Sequence, residues 1–199
     1  MRTVAKTYTV YKFDELSMDA KETVRNDYVS GLSALSDIFT EGCVENLVEL
    51  FPHSDLDVQY SLSSCQGDGL NIYGAIRLDE ILSKIRNEFT ENELNFLDKI
   101  IQNNNTFNLK QNERYCYCLC NQTDFSDELY DFLEVEDDPE ELRILAKFSE
   151  KSGDFLTSVC KEMEKNGYEF FYPEITDADL SEWAEDNNYE FLENGQIFS

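Results

Sequence analysis

The chain has 199 residues, of which 42 are Asp or Glu and 16 are Lys or Arg, so its formal net charge is −26 at pH 7. Direct binding of DNA or RNA is disfavoured, because a nucleic-acid binder needs cationic groups to displace counterions from phosphates. Anionic membrane surfaces are disfavoured for the same reason. The sequence also has no apolar run of the about 20 residues that a membrane-spanning helix needs. The apolar fraction of 41% is large enough for a core, which argues against disorder.

The first quarter of the chain predicts a strand and two helices. Residues 4–13 alternate and are rich in β-branched and aromatic side chains, which is typical of a strand. Ser17 is an N-cap residue that predicts a helix over about 18–30. After Gly31, apolar residues recur at spacings of three and four until Pro52, which predicts a second, amphipathic helix.

The second quarter predicts a β-hairpin followed by two helices. Residues 57–64 and 70–76 have the composition of strands, and the segment CQGDG between them is rich in turn formers. A helix with apolar Ile81, Leu82, Ile85 and Phe89 follows. Thr90 and Glu93 then form the T-x-x-E pattern of a capping box, which predicts the start of another helix. Two further strands are expected at about 106–109 and 114–120.

The second half is more acidic, because residues 101–199 contain 24 acids and 7 bases. Pro139 predicts the first turn of a long helix, which we expect to end at Asn166-Gly167 before a short strand, YEFFY. A last helix is expected from Asp177 to Asn188. Asn194-Gly195 is a strong turn signal and predicts a hairpin between the flanking segments 189–192 and 196–198.

These elements predict an α+β fold with a small antiparallel sheet, about five to seven helices and a C-terminal β-hairpin. We expect residues 1–123 to form an α+β core domain. Residues 124–199 are expected to form an acidic helical segment with the hairpin, packed on the same core.

The six cysteines are expected to be free thiols in the cytoplasm, because no export signal precedes them. Cys116, Cys118 and Cys120 would share one strand face at roughly 6.5–7 Å from each other, too far apart to chelate zinc without breaking the strand. We therefore expect buried thiols, no metal and no cofactor. No catalytic residue is expected either. The alternative is a thiol-dependent enzyme acting on a nucleotide, which would use His53 together with Cys43 or Cys65.

Three segments resemble those of small phage and prophage proteins. They are FDELSMDAKETVRNDY near the start, YSLSSCQGDGLNIYG at the predicted hairpin, and WAEDNNYEFLENGQIFS at the end. The first is similar to the pattern F-[DE]-E-L-S-x-x-A-K, and the second contains C-Q-G-D-G. The resemblance implies a phage or mobile-element origin, and it implies no particular chemistry.

Such an origin and the large negative charge together favour an inhibitor of a host nucleic-acid-processing defence system, acting against CRISPR or restriction. Carboxylates on helix faces would take the places of phosphates in the cationic nucleic-acid surface of the effector, a basic protein. Gln66 and Asp68 are candidate loop contacts. The candidate partner-binding residues are Asp124, Asp127, Glu128, Asp131, Glu134, Glu136, Asp137, Asp138, Glu140, Glu141, Asp177, Asp179, Glu182, Trp183, Glu185 and Asp186.

A second hypothesis is an antitoxin-like or adaptor protein that binds a basic protein partner without copying nucleic acid. In that case an aromatic patch containing Trp183 or Phe191 would anchor the interface, because aromatic side chains supply much of the energy at protein interfaces. Charge reversal across 124–141 would then matter less than the replacement of Trp183 or Phe191 by alanine.

Overall fold

A computed structural model of the chain describes residues 5–63, 67–102, 105–110 and 138–198. Within these residues six α-helices and a three-stranded antiparallel sheet form an α+β fold, as predicted. In chain order the elements are α1 (Met18–Leu32), α2 (Ser36–Leu50), β1 (Asp55–Ser61), β2 (Gly69–Arg77), α3 (Leu78–Ile85), α4 (Glu91–Ile101), β3 (Thr106–Leu109), α5 (Pro139–Phe171) and α6 (Asp177–Asp186). No helix among them combines the length and the apolar character needed to cross a membrane.

The described residues divide into two compact units. The terminal unit contains those of Met1–Asp37 and Glu169–Ser199, and the central unit contains those of Ile38–Tyr168. The expected domain boundary between residues 123 and 124 falls within 111–137, outside the described residues, and it stays a prediction.

The central unit is built on the sheet, whose strand order is β1-β2-β3. Val58 lies opposite Ile72 across β1 and β2, and Ile76 lies opposite Phe107 across β2 and β3. The predicted β1–β2 hairpin is therefore confirmed, and β3 occupies the predicted residues 106–109. The strand expected at 114–120 lies outside the described residues. The core contains Leu47, Phe51, Leu70, Ile76, Ile81, Leu97 and Phe148, all nearly inaccessible to solvent.

The predicted helix starts are confirmed by their caps. The Ser17 hydroxyl accepts a hydrogen bond from the Ala20 N–H at the start of α1. Thr90 and Glu93 form a reciprocal capping box at the start of α4, in which each side chain satisfies a backbone N–H that the helix leaves unpaired. Pro139 is the first residue of α5.

The predicted end of α5 at Asn166-Gly167 is wrong, because the helix continues to Phe171 and includes most of the segment expected to form a strand. Gly167 is buried, and a side chain there would overlap Leu62 and the ring of Phe39. Glycine at this position therefore permits close packing of α5 against α2 and the hairpin. In a helical sequence, a glycine can mark either the end of the helix or a position where another element packs closely. The two cases have the same sequence pattern.

The strand predicted over residues 4–13 is also wrong. Among the described residues of this segment only Tyr11 pairs, in an isolated antiparallel bridge with Phe191, and Phe13–Glu15 form a short 3₁₀ helix. The predicted C-terminal hairpin is not confirmed. Phe191 and Ile197 form a single bridge around the Asn194-Gly195 turn, which is shorter than two paired strands.

The terminal unit has its own small core between α1 and α6. The buried side chains that form it are Phe13, Leu16, Ala20, Val24, Leu180, Ala184 and Phe191. Gly195 has a φ of 86° and lies against the backbone of Ala20. Any other residue would be strained at that φ and would collide with α1, so the turn is closely packed on the helix.

Candidate functional site

The candidate acids of α6 fall into two groups, and the first group stabilises the fold. The Asp177 carboxylate accepts a hydrogen bond from Arg25 at 2.7 Å and lies 3.4 Å from the Lys21 ammonium. The Arg25 hydrogen bond lowers the pKa of Asp177. Asp179 accepts hydrogen bonds from the Thr176 hydroxyl and backbone N–H, both at 2.7 Å, and these lower its pKa. Asp177 therefore links α6 to α1, and Asp179 caps the start of α6.

The second group, Glu182, Glu185 and Asp186, forms an exposed surface that we term the α6 acidic face. Spacings of three and four place these side chains on the same side of the helix. Among the described residues no lysine or arginine lies within ion-pair distance of the three carboxylates. Glu185 and Asp186 also occupy the last turn, where the helix dipole disfavours negative charge. These three negative charges therefore lower the stability of the folded chain.

The candidate aromatic anchor Trp183 is packed inside the terminal unit. Its ring meets those of Tyr28 and Tyr189 edge-to-face, with ring centroids at 5.1 Å and 5.0 Å. Phe191 is completely buried. An interface anchor needs an accessible ring, so neither aromatic residue presents its main surface to a partner in this arrangement.

Most of the acidic segment 124–141 lies outside the described residues. Those outside are Asp124, Asp127, Glu128, Asp131, Glu134, Glu136 and Asp137. Asp138 accepts hydrogen bonds from the N–H groups of Glu140 and Glu141 and so caps α5. Glu140 forms an ion pair with Arg143 at 2.7 Å. These three acids lie at the positive end of the helix dipole, where they stabilise α5.

A buried carboxylate links α4 to α5. Besides its part in the capping box, Glu93 lies 3.0 Å from the Lys147 ammonium and 3.2 Å from the Arg143 guanidinium. The Thr90 backbone N–H and then Lys147 lower the pKa of Glu93 to about 2. The capping pattern was visible in the sequence, whereas the two cationic partners of Glu93, 50 and 54 residues further along the chain, were not.

The loop candidate Asp68 is used within the hairpin. Its carboxylate accepts hydrogen bonds from the Ser61 hydroxyl, from the Ser63 backbone N–H and hydroxyl, and from the Tyr168 hydroxyl at 2.8 Å. This residue therefore joins the hairpin turn to α5. The second loop candidate, Gln66, lies outside the described residues.

The central unit has an exposed acidic row that the sequence analysis did not identify. Glu41, Glu45 and Glu49 follow one another at spacings of four on α2, and all three are exposed. Among the described residues no cation is within ion-pair distance of them. The same spacing on the opposite side of the helix carries the buried residues Phe39, Cys43 and Leu47. We term the exposed set the α2 acidic row; its spacing alone could have revealed it.

The groups needed by a thiol enzyme are only partly within the described residues. Burial raises the pKa of the Cys43 thiol to about 11, so it is not a nucleophile at neutral pH. His53 is exposed, and its backbone N–H donates to Glu80 at 2.9 Å. Cys65 and the cluster Cys116, Cys118 and Cys120 lie outside the described residues. Elsewhere in the described part of the chain, no group of three or more His, Cys, Asp or Glu side chains could hold a metal ion.

Comparison with known proteins adds no assignment, since no family model, curated protein or solved structure matches the chain.

Proposed function

We propose that this chain is a phage-derived acidic inhibitor that binds the cationic nucleic-acid surface of a host defence protein and excludes the nucleic acid. One observation carries the proposal: two sets of exposed carboxylates, the α2 acidic row and the α6 acidic face, have no cation within ion-pair distance among the described residues. Each lies on a regular helix that fixes the spacing of its charges.

The spacing of these carboxylates supports recognition by arginine and lysine. Side chains three or four residues apart on a helix have Cβ atoms about 5–6 Å from each other. Several such charges in a row allow multiple charge-assisted hydrogen bonds, which arginine can make in bidentate form. A positively charged groove that evolved for a polyanion would attract them and accelerate the encounter.

The scarcity of internal cations strengthens the argument. Of the 16 Lys and Arg residues, only Arg2 and Arg114 lie outside the described residues. With 42 Asp and Glu residues against these 16, the chain has few cations of its own for the two carboxylate sets. Concentrated unpaired charge costs stability, and a cationic partner would offset that cost.

The adaptor hypothesis receives less support. It requires an aromatic anchor, and Trp183 already packs between Tyr28 and Tyr189. We therefore expect the two carboxylate sets, and not the aromatic residues, to contribute most of the binding free energy.

Inhibition assays on purified host effectors, including a CRISPR nuclease and a restriction enzyme, test the proposal. The chain should block DNA cleavage by at least one of them, DNA should compete with it, and binding should weaken as salt rises. Two triple variants remove the carboxylate sets: Glu41→Gln/Glu45→Gln/Glu49→Gln and Glu182→Gln/Glu185→Gln/Asp186→Asn. At least one should weaken inhibition by about tenfold or more.

The matched control, Asp14→Asn/Glu91→Gln/Glu174→Gln, changes the net charge equally at exposed acids outside both sets. It should retain inhibition. Simultaneous binding of DNA and the chain to the effector, or equal inhibition by all three variants, would refute the mechanism.

A further inference from the structure

The central unit contains an open cavity of about 330 Å³ between α2 and α5. The helices run in opposite directions. Phe39 near the start of α2 meets Gly167 near the end of α5, whereas Phe51, just after α2, meets Phe155 in the middle of α5. The residues that line the cavity repeat at spacings of three and four on each helix, so they form one face of each. They are Asn46, Glu49 and Leu50 on α2, and Val159, Glu162, Met163 and Asn166 on α5.

The cavity combines an apolar floor with a negatively charged rim. Leu50, Val159 and Met163 supply the floor, and the last two are buried. Glu49 and Glu162 stand on opposite helices at the rim, and both are exposed. Among the residues that the structure describes, neither carboxylate has a cationic partner.

We propose that this cavity receives an arginine side chain from a cationic segment of the protein partner. The inference rests on the proposed function for the basic character of that partner, and it names the contact that would orient the complex. Glu49 also belongs to the α2 acidic row, so the remaining acids of that row would face further cations of the same segment.

The chemistry of the lining selects arginine over other cations. Arginine has an apolar stem that can lie on Leu50, Val159 and Met163, while its charged group stays near the rim. The planar guanidinium carries five N–H donors, enough for both carboxylates together with the amide oxygens of Asn46 and Asn166. Lysine offers only a compact ammonium group with three donors. A small inorganic cation would leave the apolar floor unused.

Three alanine-based helical peptides provide the probe. Each has three residues of one kind at spacings of four, either arginine, lysine or the uncharged analogue citrulline. Binding to the full chain is measured by fluorescence anisotropy, and backbone amide shifts locate the contact by NMR. The arginine peptide should bind about tenfold more tightly than the lysine peptide and should shift the amides of residues around the cavity.

Two variants test the cavity itself. Asn46→Trp leaves the net charge unchanged and places an indole over the cavity from an exposed helix position. Glu49→Gln/Glu162→Gln removes both rim charges at exposed positions. Each should weaken arginine-peptide binding by about tenfold. The control Asp14→Asn/Glu91→Gln changes the charge by the same amount as the rim variant and should bind as the unmodified chain does.

Equal affinity for the arginine and lysine peptides, or full binding by both cavity variants, would overturn this inference. Nuclease inhibition that survives Asn46→Trp would separate the two proposals, because it would leave the proposed function standing without the cavity contact. Selective arginine binding at the cavity without inhibition of any effector would support the cavity contact and refute the proposed function.

Discussion

Glu93 shows how one carboxylate can serve a helix start and a tertiary contact together. Its carboxylate accepts a hydrogen bond from the Thr90 backbone N–H within the capping box. It also forms ion pairs with Lys147 and Arg143, which lie on α5. The side chain is buried, so the charge depends on these partners to compensate for lost hydration.

We expect Glu93→Gln to lower the free energy of unfolding by about 1–3 kcal/mol at neutral pH. The substitution removes a buried hydrogen-bonded charge, with which Lys147 forms an ion pair and which is one of the two carboxylates paired with Arg143. Urea unfolding monitored by circular dichroism measures this loss. The pKa of Glu93 is about 2 in the fold, below the ordinary value of about 4.3 for glutamate. Its stabilising effect is therefore complete above the unfolded-state pKa and disappears as pH falls through the folded-state pKa.

The stability difference between the unmodified chain and Glu93→Gln should accordingly shrink between about pH 4.5 and pH 2. Comparison of the two proteins at each pH cancels the titration of the other carboxylates. A difference that stays constant across this range would show that the charge of Glu93 contributes nothing.

Substitutions of the predicted contact acids differ in what they test, because some of these acids stabilise the fold and others do not. Asp68 and Asp177 accept hydrogen bonds that hold elements together, and Asp179 accepts hydrogen bonds that cap α6. Loss of binding on their substitution would reflect altered folding as much as a lost contact. The exposed acids of the α6 acidic face and the α2 acidic row are the informative positions.

At the scale of elements, α5 contains two glycines with opposite surroundings. Within the part of the chain that the structure describes, and apart from the adjacent helix backbone, no atom lies within 4 Å of a Cβ placed at Gly153. A Cβ placed at Gly167 would overlap Leu62 and Phe39. We expect Gly153→Ala to raise the free energy of unfolding by up to about 1 kcal/mol, since alanine favours the helix. Gly167→Ala should lower it by about 1–3 kcal/mol through overpacking.

The two alanine variants serve as each other's control, because the helix and the chemical change are the same. Thermal and urea unfolding measure whether each substitution raises or lowers the free energy of unfolding. Stabilisation by Gly167→Ala would mean that α2 and the hairpin do not approach α5 as closely as described.

The α6 helix allows a similar contrast between its two ends. Thr176→Ala removes the N-cap hydroxyl and should cost about 1 kcal/mol. Glu185→Gln/Asp186→Asn removes negative charge from the last turn and should stabilise the chain by a few tenths of a kcal/mol. The same double variant should weaken partner binding if the α6 acidic face is used. Destabilisation by these neutral residues would indicate that the two carboxylates have favourable contacts after all.

Local chemistry made much of the fold predictable. Ser17, the Thr90–Glu93 pair and Pro139 marked helix starts because capping depends on neighbouring residues, and the β1–β2 turn had equally local signals. Gly167 does not end its helix as the Asn-Gly pattern predicts, because its role depends on contacts with Phe39 and Leu62, which are distant in the chain. The segment 4–13 had the composition of a strand, but among its described residues only Tyr11 pairs, with Phe191. The α6 acidic face was predictable, whereas the internal partners of Asp177 and Trp183 depend on tertiary packing.

For the whole molecule, the net charge of −26 is the dominant electrostatic property. Like charges repel across the surface in both units, and dissolved salt screens this repulsion over a Debye length of about 10 Å at 0.1 M. We therefore expect the urea midpoint of unfolding to rise as sodium chloride increases from low concentration, while binding to a cationic partner weakens.

Opposite salt responses of stability and binding would thus distinguish the two uses of the charge. The variant Glu41→Gln/Glu45→Gln/Glu49→Gln should show a smaller salt effect on its unfolding midpoint than the unmodified chain. A midpoint that falls with salt would instead show that attractive ion pairs, such as that of Arg25 with Asp177, control stability.

The terminal unit joins segments that synthesis produces far apart in time. Phe13, Leu16, Ala20 and Val24 acquire their partners Leu180, Ala184 and Phe191 only after the whole central unit has been translated. Until then, the apolar side of α1 has no native partner from α6, and such transient exposure favours aggregation or chaperone capture. The nascent chain must therefore keep its first helix from aggregating until the ribosome has finished the last one.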